Sequence, residues 1–381
     1  MLKSIEIKNF RNLRHVSIER LGRVNLIIGR NNTGKTSFLE SLRVLLQSGF
    51  DNTVEKILIA RQERYKSFRE LSIQIEELAG LFYGREGGFS EEEKIEILAE
   101  TENTLLPIGF GLRFVRYREQ HVDFGDTDVP EIFANLITKA YKMKVEAPVQ
   151  SSDGRIGLEI TTDQDKYIRS LHENDVLDAI ALNWLSGRRT DACNFISAVN
   201  AVDDSDLDIW WAKIALTEGE DIAVSALQAV EPGVERISQI KELQDDDTRF
   251  VVRLNGHRKP VPLRSMGDGI NRILTLVLAM ISSSGGYLLI DEFENGLHYS
   301  VQQDLWKIIF QLAEKLNIQV FATTHSSDTI GAFESIVNKD VSNPLSGLLI
   351  KLENIDDNIE SLVFEPDELK VIKDNHIEVR R

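Results

Sequence analysis

The chain has 381 residues, of which 42% are hydrophobic and 28% are charged, and these proportions are typical of a globular protein. This length favours one large α/β domain with insertions, or two subdomains, over a single small domain. The net charge of −17 argues against a molecule coated with nucleic-acid-binding residues. The single cysteine, Cys193, excludes an intramolecular disulfide and is typical of a cytoplasmic protein.

The opening residues and the most apolar stretch both argue against a signal peptide or a membrane span. The sequence MLKSIEIKNF alternates like a β-strand and lacks the pattern of a signal peptide. The most apolar stretch, at residues 273–290, is interrupted by Ser-Ser-Ser-Gly-Gly. We interpret it as a buried helix followed by a buried strand, because a membrane span needs about 20 continuous apolar residues.

Charge is distributed unevenly along the chain. Residues 1–36 contain eight lysines and arginines but two acids, whereas acidic residues cluster at 91–93, 203–208 and 245–247. We interpret the acidic runs as solvated loops and helix starts. A local basic face for DNA stays open as an alternative, but the total charge does not support it.

The hydrophobic pattern predicts the order of helices and strands. Three short β-patterns, at 4–10, 15–21 and 24–29, open the chain, and a glycine-containing loop then leads into a helix from about Lys35 to Gln47. The following patterns are helix-like at 52–105, strand-like at 106–171, helical at 175–233, and a strand pair at 234–243 and 249–257. Helices and strands then alternate from 269 to 325.

These patterns together predict an α/β fold. Strands that alternate with helices of this length form a largely parallel sheet that is covered on both faces. We expect a mixed sheet of this kind, an antiparallel β subdomain and an inserted, mostly helical region. The sequence contains no internal repeat and no sustained heptad pattern, so no long coiled-coil arm is predicted.

Residues 29–36, G-R-N-N-T-G-K-T, match the phosphate-binding pattern G-x-x-x-x-G-K-[ST], with an apolar strand before them and an amphipathic helix after them. Backbone N–H groups in such a loop surround phosphate, because glycine allows a close approach. We expect Lys35 to reach the β- and γ-phosphates and the Thr36 hydroxyl to bind Mg²⁺. Arg30 and Asn31 either contact the nucleotide or shape the loop. The predicted nucleotide-binding residues are Gly29, Arg30, Asn31, Asn32, Thr33, Gly34, Lys35, Thr36 and Ser37.

Two later strands end in chemically useful residues. The strand YLLI ends in Asp291 and Glu292, and the strand at 318–323 leads into His325. Asp291 is suited to hold Mg²⁺, Glu292 to polarise the attacking water, and His325 to sense the γ-phosphate. An acidic strand end or a lone histidine is often purely structural, so the interpretation depends on their order after a phosphate loop. Glu292, Lys35 and His325 are the predicted catalytic residues.

The motifs also predict the domain organisation. The phosphate loop lies near one end of the chain, and the acidic strand and histidine lie near the other. We therefore expect residues 1–50 and 255–381 to form the two halves of one core. Residues 51–254 would form an insertion with a helical part and antiparallel strands.

A third motif identifies a family resemblance. Residues 265–269, S-M-G-D-G, open a helix upstream of the acidic strand, where ABC ATPases carry their signature motif. The stretches VPLRSMGDGINRILTLVLAM and LLIDEFENGLHYSVQQDLW resemble the ATPase domain of OLD (overcoming lysogenization defect) proteins and related ABC-type ATPases of phage defence. The sequence IEIKNFRNL is similar to the same group and to the RecF and SMC ATPases. The resemblance is distinct over about residues 1–45 and 260–330.

This resemblance implies an ABC-type P-loop ATPase head that uses ATP and Mg²⁺ and works as a homodimer or higher oligomer. In that family the signature of one subunit caps the γ-phosphate held by the other, so Ser265, Gly267, Asp268 and Gly269 would act in trans. Residues 294–298 would link the two sites across the interface. Met266 stands where the common ABC signature has a glycine, and an ordinary helix cap is the structural alternative for this segment.

Other candidates are less specific. Gln150 and residues 183–189 are candidates for nucleotide-responsive elements, although a solvated surface is an equally good interpretation of the two arginines at 188 and 189. Trp210 and Trp211 are interpreted as packing residues in preference to a base-stacking platform.

The resemblance further suggests a partner. OLD proteins carry a TOPRIM nuclease module after the ATPase, but the residues after His325 contain no spaced glutamate and D-x-D set, so no nuclease activity is predicted in this chain. We expect the ATPase component of a phage-defence system that controls a separately encoded nuclease or toxin. A RecF-like DNA repair ATPase and a nucleotide-gated scaffold with little turnover are the alternatives.

Overall fold

A computed structural model describes residues 1–47, 50–63, 71–84, 93–102, 106–117, 155–163, 166–171, 192–198, 204–241, 248–337 and 347–369. Within these residues the strands form three sheets. Two of the sheets have six strands each, and the third has three.

The core sheet contains the strands that carry the predicted motifs. The three strands that precede the predicted motifs are buried on both faces, as expected for parallel strands covered by helices. Five neighbouring strands run parallel, and one edge strand pairs antiparallel with its neighbour. In spatial order the strands are β15 (Asn358–Phe364), β14 (Gly347–Ile355), β3 (Val24–Ile28), β13 (Gln319–Thr323), β12 (Tyr287–Ile290) and β8 (Cys193–Ile196).

Most of the helices that the structure describes lie on one face of the core sheet. Alternate strand residues, such as Leu288 and Val320, share one hydrophobic cluster with this helical layer. The helices that contribute to the cluster are α4 (Asp204–Ile214), α5 (Glu218–Gln228), α6 (Asp268–Ser282), α7 (Tyr299–Lys315) and α8 (Ser327–Val337).

The other face of the core sheet packs against helix α1 (Lys35–Leu46) and the antiparallel sheet. Leu289 and Phe321 point to this side, and Phe321 lies 6.4 Å from Phe38 of α1 between ring centroids. Helices α2 (Phe50–Ala60) and α3 (Leu71–Ala79) contribute to the same cluster. Helix α1 is therefore held between two sheets, and this arrangement places the phosphate loop at the end of β3.

The antiparallel sheet begins with the first two strands of the chain. In spatial order its strands are β2 (Leu13–Ile18), β1 (Leu2–Phe10), β4 (Lys94–Thr101), β5 (Ile108–Tyr117), β6 (Arg155–Thr162) and β7 (Lys166–Ser170). The buried Gln319 side chain ties it to the core sheet, because Gln319 accepts from Leu2 N and donates to Leu2 O, both at 2.8 Å.

The third sheet leads into the signature motif. It contains β9 (Val234–Lys241), β10 (Thr248–Leu254) and β11 (Val261–Pro262), all antiparallel. A 3₁₀ turn (Leu263–Met266) follows β11, and α6 begins two residues later at Asp268. The sheet thus places residues 265–269 at the start of the helix that precedes β12.

The predicted α/β fold with a mixed, largely parallel sheet and antiparallel β strands is confirmed. Three details differ. Residues 94–101 form a strand where a helix-like pattern was expected, because Ile95, Ile97 and Ala99 alternate onto one buried face. Strand β8 interrupts the stretch expected to be helical at 175–233, and the hairpin β14–β15 was not predicted.

The division into a core (1–50 and 255–381) and an insertion (51–254) stays a prediction. Strands from the middle segment take part in both large sheets, since β4–β7 extend the antiparallel sheet and β8 lies beside β12. No helix among the described residues is long and apolar enough to cross a membrane.

Candidate functional site

The phosphate loop has the backbone geometry that its sequence requires. Gly29 has φ +153°, and a Cβ there would lie 2.4 Å from Leu352 O and 2.5 Å from Thr33 Oγ1. Gly34 has φ +85°, and a Cβ there would lie 2.5 Å from Leu13 Cδ2. Side chains are therefore excluded at both positions by space as well as by conformation.

The start of α1 is open to an anion. Gly34 is the N-cap of the helix and has no side chain to cap the first-turn N–H groups. The Lys35 ammonium donates to the loop carbonyls Gly29 O and Arg30 O, at 2.9 and 2.8 Å. Thr33 also donates to Arg30 O, at 2.9 Å. The side chains of Lys35 and Thr33 thus hydrogen-bond to carbonyl groups of the loop itself, and the Lys35 ammonium lies against the loop backbone.

Thr36 and Asp291 meet at the end of the core sheet. The Thr36 hydroxyl donates to the Asp291 carboxylate, 3.2 Å from Oδ1 and 3.1 Å from Oδ2. Thr323, at the end of neighbouring strand β13, donates to Asp291 Oδ1 at 2.6 Å. The buried Asp291 side chain is therefore oriented by the phosphate-loop helix and by β13 together.

Glu292 occupies a strained backbone position. Its φ is +48°, in the left-handed region that residues with a Cβ rarely adopt. The Thr323 hydroxyl holds this turn by accepting from Glu292 N at 2.9 Å, and Phe293 N donates to Thr323 O at 2.9 Å. The next residue is anchored by stacking, since Phe293 lies 4.1 Å from Trp306 between ring centroids. The turn lets Asp291 point to the loop while Glu292 lines the adjoining cavity.

These residues border a cavity of about 540 Å³, a size suited to a nucleotide-sized ligand. The lining residues are Arg11, Asn12, Asn31, Asn32, Gly34, Lys35, Thr36, Ser37, Arg61, Asp291 and Glu292. A smaller cavity of about 260 Å³ lies between the loop and β14, and Arg30, Asn31, Asn32 and Thr33 border it. Most of the predicted nucleotide-binding residues are thus brought together.

The donor set fits a magnesium ion that is shared with phosphate. Mg²⁺ prefers hard oxygen ligands and usually keeps water or phosphate oxygens, so it needs few protein ligands. Thr36 Oγ1 and the Asp291 carboxylate supply such oxygens within hydrogen-bond distance of each other. No group of three or more His, Cys, Asp or Glu residues in the described part of the chain forms an all-protein metal cage.

Two arginines that the sequence interpretation did not single out also line the cavity. Arg11 is 1% exposed, and its Nε lies 2.8 Å from Glu40 Oε2 while its Nη1 lies 3.0 Å from Glu63 Oε2. Arg61 binds the other oxygen of Glu40 at 2.7 Å. The buried Glu40 therefore holds both guanidinium groups beside the phosphate loop.

The pKa values of these two arginines are shifted in opposite directions. Burial lowers the pKa of Arg11, and the charge of Glu40 opposes this effect. Burial also lowers the pKa of Arg61, but the charges of Glu40, Glu63 and Asp291 outweigh it and raise that pKa. Both groups stay charged near neutral pH, so they add positive charge where phosphate would bind.

His325 contacts Glu294 in this structure. Its Nδ1 lies 2.9 Å from Glu294 Oε1, and its backbone N donates to the same oxygen at 3.0 Å. Thr324 donates to Glu294 Oε2 at 2.7 Å. His325 is not among the residues that line the 540 Å³ cavity, so its predicted role as a γ-phosphate sensor stays a prediction.

The signature segment, residues 265–269, faces solvent and lies outside the cavity. Ser265, Gly267 and Asp268 are exposed, and none of the five residues lines the cavity of the same chain. Gly267 has φ +103° and is the N-cap of α6, so this helix also begins without a side-chain cap. A Cβ at Gly269 would lie 3.8 Å from Gly296 O, which places the segment against the loop at 294–298.

Trp210 and Trp211 are 6% and 7% exposed in the hydrophobic core, so the packing interpretation is confirmed. Gln150 and residues 183–189 lie outside the described residues.

Comparisons with known proteins agree with this geometry. The chain is 23% identical over 352 residues to an "ATP/GTP phosphatase" of Helicobacter pylori, covering 89% of both chains. It is 44% identical over 63 residues to a "DNA replication and repair protein RecF" of Cellvibrio japonicus, covering 16% of this chain and 17% of that protein.

Solved structures of low sequence identity show the same fold. An SMC head bound to the C-terminal winged-helix domain of ScpA superposes with a TM-score of 0.53 at 12% identity, covering 98% of this chain and 99% of that one. The SMC head of Pyrococcus furiosus gives 0.50 at 10% identity, with 99% of each chain covered. The fold is therefore that of an ABC-type P-loop ATPase head. A family model described as "AAA domain, putative AbiEii toxin, Type IV TA system" matches residues 24–330, and the chain belongs to this family.

Proposed function

We propose that this ATPase is a switch that closes when ATP is held between two copies of the chain. The observation that carries the proposal is the separation of two elements within one copy. The phosphate loop, Asp291 and Glu292 border one cavity, whereas the signature segment is exposed outside it. A second copy can bring its signature segment to this cavity, and each copy would then complete the site of the other.

The chemistry at the completed site follows from the residues of the chain. The N–H groups of α1 and the Lys35 ammonium would bind the phosphates. Thr36 and Asp291 would hold Mg²⁺, which supplies positive charge to the phosphate oxygens. Glu292 would orient a water for attack on the γ-phosphate, because its carboxylate follows Asp291 directly and faces the same cavity.

The proposed signature contact adds a second helix start. Helix α6 begins at Gly267 without a side-chain cap, so its first N–H groups are available to an anion. With ATP bound, the γ-phosphate would lie between the starts of α1 and of the partner's α6. ATP would thereby favour the closed pair over separate copies, and loss of the γ-phosphate would release it.

For the biological role, we propose the ATPase component of a phage-defence system that controls a separate nuclease or toxin. The OLD-like signature and acidic-strand sequences support this role, and the family description names a toxin and a toxin–antitoxin system. The short matches to RecF proteins support a second candidate, a DNA repair ATPase. A nucleotide-gated scaffold is a third. We propose a cytoplasmic location for each.

Mass measurement in solution tests the closing step. The variant Glu292→Gln should retain ATP and form pairs when ATP and Mg²⁺ are added. The same variant with Ser265→Arg should stay single, because the arginine side chain would occupy the space of the γ-phosphate. Ser265 is exposed and donates only to Pro262 O at 2.6 Å among the contacts that the structure describes, so this change should not unfold the chain. Pairing that ignores Ser265→Arg would contradict the proposal.

The biological role needs a separate experiment. The chain is co-expressed with the products of its neighbouring genes, and the mass of the purified complex is measured with and without ATP. A nuclease or toxin that co-purifies and responds to ATP would support the defence role. DNA binding that strengthens with ATP and weakens steeply with salt would support the repair candidate instead.

A further inference from the structure

Helices α5 and α7 border an open groove of about 590 Å³ that shares no residue with the nucleotide cavity. Its floor is apolar, because Ala226, Ile308 and Leu312 are buried there in the hydrophobic cluster of the helical layer. Charged residues of both helices form its exposed rim. A groove with an apolar floor and a polar rim is the kind of surface that binds an amphipathic helix.

Helix α4 presents apolar side chains to solvent. Ile209 is 53% exposed, Ala212 is exposed, and Leu216, two residues after the helix ends, is 91% exposed. Leu216 is the most exposed large apolar side chain in the part of the chain that the structure describes. Single exposed apolar residues are ordinary, but a row of them marks a surface for association. We refer to these three residues as the α4 stripe.

The backbone of Leu216 gives a second reason to expect a contact. Its φ is +62°, in the left-handed region, at the position after a helix where glycine is the usual residue. A leucine there costs conformational energy. Within one copy this cost is not offset by burial, because the side chain is almost fully exposed. Burial of Leu216 against another molecule would offset it.

The charges beside the stripe match those on one wall of the groove. On α4, Asp206 precedes Lys213 by about two turns, and both side chains are exposed. On the α7 wall, Asp304 precedes Lys315 by about three turns. None of the four forms a salt bridge with another residue that the structure describes. An α4 helix that lay antiparallel to α7 in the groove would bring Lys213 toward Asp304 and Asp206 toward Lys315. A second copy of this chain is therefore an occupant whose charges fit.

We propose that the α4 stripe of one copy binds in the α5–α7 groove of a second copy. Stripe and groove are neighbours on the surface, since Leu216 stands two residues before Glu218, which lines the groove. A two-fold axis near this turn would therefore place each stripe in the groove of the other copy.

This contact needs no nucleotide, so it is separate from the ATP-driven closing proposed above. One helix in one groove is a small contact, and we expect it to form at chain concentrations of about 10–100 µM, above those at which ATP-driven closing is measured. With both contacts formed, the chains would join into assemblies larger than a pair.

Sedimentation equilibrium at about 10–100 µM chain, without ATP or Mg²⁺, tests the contact. The unmodified chain should pair, and Leu216→Gly should raise the dissociation constant at least about 10-fold, because the pair then loses the burial of a leucine. Ser225→Arg should do the same by filling the groove that Ser225 lines. Ser225 is exposed and its hydroxyl donates to Asp221 O of the same helix at 2.8 Å, so this change should not unfold the chain. Leu106→Gly removes a leucine that is 78% exposed elsewhere and should leave pairing unchanged.

Two further measurements exclude misfolding as the cause of lost pairing. Leu216→Gly should unfold at a higher urea concentration than the unmodified chain when both are dilute and single, because glycine suits a left-handed position. An equal mixture of Leu216→Gly and Ser225→Arg copies should pair more tightly than either alone, because a mixed pair keeps one intact stripe in one intact groove. An unmodified chain that stays single at the highest of these concentrations, pairing that both variants leave unchanged, or a mixture that pairs no better than its components would each overturn the proposal.

Discussion

Thr36 donates a hydrogen bond to Asp291 across 255 residues of sequence. Thr36 directly follows Lys35 of the phosphate loop, which comes after strand β3. Asp291 comes directly after strand β12, and β13 lies between β3 and β12 in the core sheet. This bond joins the two ends of the nucleotide site in one chain. Thr323 completes the arrangement from the strand between them.

The bond predicts how Thr36 variants behave. Thr36→Ala removes the hydroxyl that we assign to Mg²⁺ and should lower the ATPase rate at least about 100-fold, because a misplaced metal or phosphate is costly in rate. Thr36→Ser keeps the hydroxyl and should keep most of the activity. Steady-state ATPase assays over a Mg²⁺ titration check this. Equal loss in both variants would show that the methyl group, not the hydroxyl, matters.

Glu292→Gln separates hydrolysis from binding. The amide keeps the size of the carboxylate but cannot accept a proton from water, so turnover should fall about 10²- to 10⁴-fold. The affinity for ATP should stay within a few-fold of the unmodified chain, because phosphate binding is assigned to the loop. Single-turnover rates and equilibrium ATP binding measure the two quantities. A variant that loses both in parallel would place Glu292 in binding.

Gly34 and Gly331 form a matched pair of glycines. Gly34→Ala forces a Cβ against Leu13 at φ +85° and should lower the free energy of unfolding by about 1–3 kcal/mol. Gly331 lies inside helix α8, and nothing lies within 4 Å of an added Cβ. Gly331→Ala should therefore raise the free energy of unfolding by about 0.5–1 kcal/mol. Urea denaturation measures the free energy of unfolding of both variants. Changes of the same sign would contradict the conclusion that a Cβ is excluded at Gly34 and tolerated at Gly331.

Glu40, the buried carboxylate that contacts Arg11 and Arg61, should contribute more to the free energy of unfolding than a partly exposed carboxylate does. Glu40→Ala removes one of the two carboxylates that contact the buried Arg11 and also the carboxylate that contacts Arg61, and it should cost about 3–5 kcal/mol of unfolding free energy. Glu6 pairs with Lys8 at a partly exposed position, and Glu6→Ala should cost no more than about 1 kcal/mol. Denaturant titration at neutral pH measures both. A small loss of unfolding free energy in Glu40→Ala would show that water easily replaces the Glu40 carboxylate.

Local sequence patterns predicted the parts of the fold that are continuous in sequence. The strand at 24–28, the helix after it, and the apolar strands that end in Asp291 and near His325 each carry their own hydrophobic pattern. Strand β8 was not predicted because its four residues, CNFI, have no period of their own. Its pairing with β12 decides its conformation.

The same limit applies to the site. The phosphate loop and Asp291 belong to motifs that can be identified from the order of residues in a short stretch of sequence. Arg11 and Arg61 gain their meaning only from their contacts with carboxylates that are distant in sequence. The pattern N-F-R-N around Arg11 carries part of the family resemblance, but nothing in its spacing indicates a buried arginine at the cavity.

The most direct measurement mixes two inactive copies. A Lys35→Ala copy keeps its signature segment but lacks the loop lysine, and a Ser265→Arg copy keeps its loop but cannot seal a partner. Each alone should be inactive. An equal mixture should recover up to about half of the unmodified ATPase rate, because neither copy pairs with itself through ATP and each mixed pair holds one complete site of two. A mixture as inactive as its components, or a Ser265→Arg copy that is fully active alone, would contradict a site shared between two copies.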